Sequence, residues 1–373
     1  APEAGSHLEM AINSQMQNKL EEIINHYLEI NGKSKAAAVV LDPRNGEVLA
    51  MVSFPAFDNN DFSGGITSEK YNSYLQNENK PLYNRAITGL YPSGSTAKIV
   101  IAAAALQEGI INSSTSFLSN GGLQIGQWFF PDWQAGGHGS TNVRKALAWS
   151  VNTFFYYIGG GYNDFIGLGV EKIVSYLKEF GLGSKSNIDI PGEVEGFLPS
   201  KEWKLETKGE KWYIGDTYNL SIGQGDILVT PLQIANMTAV VANGGTLYQP
   251  HVAKAIINPL TEKKINVEPK IINKNFISAN NFHIIKLGMK DCVDYGSCRR
   301  LSLLPFSVAG KTGTAQWNKN KDNHAWFTSF APFDNPEIVI TVLVEEGGEG
   351  SAISASIAYD FYRWWWTYKN NLN

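Results

Sequence analysis

Long apolar runs are missing from this chain. No stretch approaches the ~20 residues needed to span a bilayer, and no charged-then-apolar leader marks a signal peptide. Basic runs are missing too, and with a net charge of −4 this argues against nucleic acid as a partner. There is no internal repeat and no low-complexity segment. Cysteine is scarce: only Cys292 and Cys298 occur, in DCVDYGSCRR. They would close a small loop in an oxidising compartment or remain two free thiols, and the count leaves both open. Charged residues make up 18% and hydrophobic ones 43% of 373 residues, an ordinary globular balance with room for one large domain or two modest ones. Aromatics are plentiful, with ten tryptophans and sixteen tyrosines, which suggests extended grooves as well as core.

The opening APEAGSHLEM (1–10) reads as an expression-vector scar and is set aside from fold reasoning. The chain reads as a piece cut from a longer protein, with 11–373 as its working domain. Residues 14–30 place Met16, Leu20, Ile23, Ile24 and Tyr27 at helical spacing, with Ser14 and Gln17 as a capping box and Gly32 as the stop. AAAVVLDPRNGEVLAMVS predicts two strands joined by a turn at Asp42–Gly46. A polar excursion over 53–90 leads to an Ala-rich helix from Ser95 to about Ile110. Helical and loop segments continue to about residue 300, with 231–245 as the clearest helix. Strand patterns return at 306–316, 324–332 and 338–345, and a last helix (about 351–368) aligns Ile357, Phe361, Trp365 and Tyr368 for core packing. The pattern predicts an α/β (α+β) fold with one antiparallel sheet, interrupted by a helical insert over about 99–300. The ligand cleft is expected between the sheet edge and that insert.

Three short motifs carry chemistry. In YPSGSTAKIV, Ser95 and Lys98 are spaced i, i+3 and share a helix face. Alone, they read as a helix cap and a surface charge. A serine becomes nucleophilic when a base takes its proton, and a lysine depressed from ~10.4 by burial or a second cation can be that base. In AGKTGTA, alternation sets Thr312 and Thr314 on one strand face and Lys311 with Gly313 on the other. The hydroxyls suit a substrate carboxylate, Lys311 supplies positive charge, and Gly313 permits close approach. In AWSVNTF, Ser150 and Asn152 both reach a cleft only from a turn, Ser150 to relay a proton and Asn152 to hold a substrate amide. Alone, this pair reads as a helix cap. Together and in this order, S-x-x-K, S-x-N and K-T-G form the set of the penicillin-interacting serine enzymes.

The likeness extends to NRAITGLYPSGSTAKI, GGHGSTNVRKALAWSVNTFFYY, LSIGQGDILVTPLQIANMTAVVANGG, VAGKTGTAQ and HAWFTSFAP. From about residue 12 onward the chain resembles a class B penicillin-binding protein of the cell-elongation type. The resemblance implies a penicillin-binding transpeptidase (serine β-lactamase-like) fold, with a five-stranded antiparallel sheet flanked by helices and an all-helical subdomain. It implies peptidoglycan D,D-transpeptidation through an acyl-serine, inhibition by β-lactams, and no cofactor. Ser95 would be the nucleophile, Lys98 the base, Ser150 the relay, and the Ser95 and Thr314 backbone amides the oxyanion hole. Its partners would be stem peptides on a lipid-linked precursor, a glycan polymerase and a membrane scaffold protein. It would sit on the periplasmic face of the bacterial inner membrane, held by an N-terminal anchor outside this chain. A β-lactamase or D,D-carboxypeptidase, a β-lactam-sensing receptor and a non-catalytic scaffold are the rival readings. Some relatives bind zinc near the cleft through acidic residues, a GHG histidine and a cysteine inside the second motif. Here Asp132 and His138 are present but Val151 replaces the cysteine, so no metal is expected and His138 is structural. His324 is expected to be a loop-to-strand hydrogen-bonding residue.

Overall fold

The computed structural model describes residues 5–371. At its centre lies a five-stranded antiparallel sheet ordered Ala309–Ala315, His324–Ala331, Ile338–Val344, Ala36–Leu41, Val48–Phe54. The two early strands therefore lie beside the three late ones, as the pattern of segments implied. AAAVVL and IVITVLV are buried at every position, because both faces of the sheet are covered.

One face carries the Ser14–Ile30 and Ile353–Asn371 helices, which bury Leu20, Ile24, Ile357, Phe361 and Trp365. The expected aromatic stripe is core, with Tyr368 half-buried at its end. The other face carries the Pro231–Asn243 helix, and Lys98–Gln107 lies in the same core. Both of these helices are buried nearly all round, so neither shows an amphipathic stripe. The alanines at 102–105 let the Asn152–Gly160, Gly169–Glu179 and Ala279–Asp294 helices approach closely. Among the described residues, no helix is long and apolar enough to cross a membrane.

Local chemistry departs from the sequence reading in four places. Asn13, not Ser14, caps the first helix, its Oδ1 accepting from the Gln15 and Met16 amides. Gln17 is drawn instead to the sheet, where its side chain both donates to and accepts from the Met51 backbone at 2.8 Å. His7–Met10 pairs with Ala253–Ile257, so part of the stretch set aside belongs to the fold. The insert is helical in its core but also carries four short antiparallel pairings, Ser116–Ser119 with Gly139–Asn142, Gly122–Ile125 with Trp128–Pro131, Thr246–Tyr248 with Ile271–Lys274, and Ala253–Ile257 with Lys264–Asn266. Runs this short do not reveal alternation. Finally, Ser95 lies in a 3-10 turn, Gly94–Thr96, and the α-helix begins only at Lys98. The cysteines, left open by the sequence, form a Cys292–Cys298 disulfide.

Candidate active site

Gly94 makes the Ser95 turn possible. Its φ is +52°, and a Cβ there would lie 2.9 Å from the Thr314 carbonyl oxygen. Only glycine allows the turn to rest this closely on the Ala309–Ala315 strand. The Gly94 amide donates to the Gly223 carbonyl (2.8 Å), bracing the turn from the insert. Lys98 follows three residues after Ser95, at the first position of the helix into which this turn leads.

Lys98 is fully buried. Its Nζ donates to the Ser150 carbonyl (2.7 Å), Ser150 Oγ (3.3 Å) and Asn152 Oδ1 (2.6 Å). The turn demanded by the Ser150–Asn152 spacing is present: Ser150 is left-handed (φ +57°) at the end of Val143–Trp149, Val151 is extended, and Asn152 opens the next helix. Burial lowers the Lys98 amine to about 7, although the Asp132 carboxylate favours its charged form. Asp132 feels burial in the opposite sense. The Lys98 charge and hydrogen bonds from Thr153 Oγ1 and the Asn152 and Thr153 amides overcome that and hold it below the usual carboxylate range.

Lys311 is also fully buried, with Nζ donating to the Thr312 carbonyl (2.9 Å). Burial, and then the Lys98 charge, push it well below an ordinary lysine. The standing positive charge expected of Lys311 is thus opposed by its own neighbour. The alternation is as expected: Lys311 and Gly313 oppose Thr328 and Trp326, while Thr312 and Thr314 face the other way. A Cβ on Gly313 would meet Trp326 Cβ at 2.9 Å and Thr96 Cγ2 at 3.1 Å, so its close approach is to the nucleophile turn and the neighbouring strand. Thr312 Oγ1 lies 2.8 Å from Ser297 Oγ, and Thr314 Oγ1 donates to Glu349 (3.3 Å). Gln224 donates to the Thr314 carbonyl at 3.2 Å. That carbonyl therefore faces away from the neighbouring strand, and the Thr314 amide turns with it toward the cleft.

Ser95, Ser150, Asn152, Thr312, Gly313 and Thr314 line one cleft of about 780 Å³, with Lys98 and Lys311 buried outside its lining. In a smaller cleft of about 340 Å³, Arg144 pairs with Asp291 at 2.7 Å and Lys145 donates to the His138 and Ser140 carbonyls. Sequence reasoning missed Ser297, Gln224 and Glu349 as lining residues, and missed Asp132 as the carboxylate facing Lys98. Gln224 had a signal in the GQG segment. Ser297 and Glu349 had none, because only the fold brings their loops to the cleft. His324 opens its strand, accepts from the Glu346 amide at 3.1 Å and is lowered by burial to about 4.

The zinc of some relatives does not fit these residues. Asp132 is occupied by Ser119, Trp133, Asn152 and Thr153, and Val151 is fully buried. The His138 side chain is buried with both ring nitrogens unpartnered, Nδ1 lying 3.9 Å from Asp132, and it packs beside Trp133 and Trp149. One free imidazole does not make a zinc site, and among the described residues no cluster of three metal-ligating side chains occurs.

Comparison with known proteins agrees with this geometry. The Haemophilus influenzae peptidoglycan D,D-transpeptidase MrdA is 36% identical over 96% of this chain and 56% of its own length. The chain spans about half the length of the curated relatives it matches. Pseudomonas aeruginosa PBP2, solved with WCK 5153, superposes with a TM-score of 0.86 at 33% identity, covering 98% of this chain and 79% of that one. Helicobacter pylori PBP2, solved in complex with MreC, gives 0.82 at 30% identity, covering 95% and 63%. Residues 36–363 match the penicillin binding protein transpeptidase domain, and the chain belongs to that family.

Proposed function

We propose that this chain is the crosslinking domain of a peptidoglycan D,D-transpeptidase of cell elongation. The observation that carries the reading is Lys98, buried, held near neutrality and bonded to Ser150 and Asn152, three residues beyond Ser95. Neutral Lys98 takes the Ser95 proton as Oγ bonds to the carbonyl carbon of a D-Ala–D-Ala amide. The C–N bond then breaks, and the departing D-Ala nitrogen takes its proton from Ser150, which Lys98 replenishes. An amine from a neighbouring stem peptide attacks the ester, returns the proton to Ser95 and completes the crosslink. The Ser95 and Thr314 amides hold the oxyanion, each worth roughly 3 kcal/mol. Asn152 holds the substrate amide, and Thr312 and Thr314 bind the terminal carboxylate, with Lys311 behind them.

Hydrolysis is the less favoured outcome. Among the described lining residues Glu349 is the one carboxylate, and it is exposed and turned to the Thr314 hydroxyl. A penicillin should therefore add its mass once to a Ser95 peptide and remain for many minutes, and Ser95→Ala should abolish the adduct. Turnover of penicillin near 1 s⁻¹ or above, in the ordinary enzyme range, would replace this reading with a β-lactamase. A membrane scaffold of the MreC kind and a lipid-linked glycan polymerase are the partners we propose, the first supported by the likeness to an MreC-bound PBP2. The same reading puts the domain on the periplasmic face of the inner membrane.

A further inference from the structure

We propose that Ser297 is a third hydroxyl ligand of the substrate's terminal carboxylate, set in place by the Cys292–Cys298 loop. This rests on the carboxylate site proposed above. Ser297 lines the cleft, and its Oγ lies 2.8 Å from Thr312 Oγ1 and 3.3 Å from Cys292 Sγ. A disulfide sulfur has no proton and accepts weakly, so the stronger partner of the Ser297 hydroxyl is Thr312. The two hydroxyls share one proton between their oxygens, which leaves one O–H of the pair free to turn to an anion. A carboxylate would convert that pair into charge-assisted bonds, roughly twice as strong as neutral ones.

The loop is built to hold this geometry. The Ser297 amide donates to the Ala148 carbonyl (3.0 Å), the Gly296 amide to Asp291 (3.0 Å), and the Cys298 amide to Cys292 (2.9 Å). A Cβ on Gly296 would sit 2.2 Å from the Ala148 oxygen, so no other residue lets the loop seat there. Ala148 lies two residues before Ser150. The loop therefore ties the wall that carries Ser150 and Asn152 to the strand that carries Thr312, and the disulfide closes it at its base.

The test compares second-order acylation by a penicillin and by its carboxyl methyl ester. Wild type should favour the free acid. Ser297→Ala should lose about tenfold with the acid, the size expected for a hydrogen bond to a charged group, and little with the ester. The loss should fall on the dissociation constant rather than on the limiting acylation rate, and Ser297→Thr should restore it. Cys292→Ala/Cys298→Ala should lose acid preference in the same direction, with no further loss when Ser297→Ala is added. Equal losses for both probes in Ser297→Ala, or none, would overturn the inference. A folded double-cysteine variant with full preference would overturn the positioning role of the disulfide. A wild type indifferent to the ester would sink the Thr312–Thr314 carboxylate site itself, a failure distinguishable from the loss of Ser297 alone.

Discussion

Changing Lys98 to arginine keeps a positive charge and removes the base. An ordinary lysine at 10.5 is neutral in roughly one molecule in 3,000 at pH 7, whereas an amine held at about 7 is neutral in about half. Burial of Lys98 is thus worth about three orders of magnitude in available base, or on the order of 5 kcal/mol. Guanidinium does not deprotonate in proteins, so Lys98→Arg should retain the fold and lose nearly all acylation. The wild-type rate should climb about tenfold from pH 6 to pH 8 and then level, as the neutral fraction rises from about one in eleven to about ten in eleven. Asp132 faces the amine and stabilises its ammonium form. Asp132→Asn should therefore move the midpoint to lower pH. Stopped-flow acylation with a chromogenic β-lactam, with folding checked by circular dichroism, reads all three effects. An arginine variant acylating at more than a few per cent of wild type, or a wild-type profile rising only above pH 9, would refute the reasoning.

Three further outcomes are expected. Thr312→Val and Thr314→Val should each weaken binding of carboxylate-bearing analogues while barely affecting analogues that lack the group; equal losses would put the carboxylate elsewhere. Glu345→Gln should destabilise the fold by about 3 kcal/mol, since it removes the carboxylate paired with the buried Arg85 guanidinium, whose other partners, the Asn79 and Lys80 carbonyls, carry no charge. A denaturation midpoint within error of wild type would contradict that cost. Metal analysis should find no stoichiometric zinc, and chelator treatment should leave the melting temperature unchanged, because Asp132 is fully engaged and Val151 offers no ligand.

The motifs were legible because each is local and the chemistry of each is strict. Ser95 and Lys98 needed only the pitch of one turn, Thr312 and Thr314 only the alternation of one strand, and Ser150 and Asn152 only a bend between two helices. Four of the five sheet strands and the closing helix were legible from apolar runs and a single stripe, and the Ala309–Ala315 strand from its alternation. Other features rest on contacts between distant segments, which no local window records. Gln17 gave up a capping role because Met51 offered two backbone bonds, and His7–Met10 became a strand because Ala253–Ile257 had a free edge. The shift of Lys98 toward neutrality needed complete burial and was opposed by Asp132, 34 positions away in sequence. Ser297 reached the cleft only because the disulfide and the Ala148 carbonyl fix its loop. The sequence by itself determined which groups could react and in what order they occur along the chain. Tertiary structure alone decided their protonation and their neighbours, because burial and long-range hydrogen bonds exist only once the chain has closed on itself.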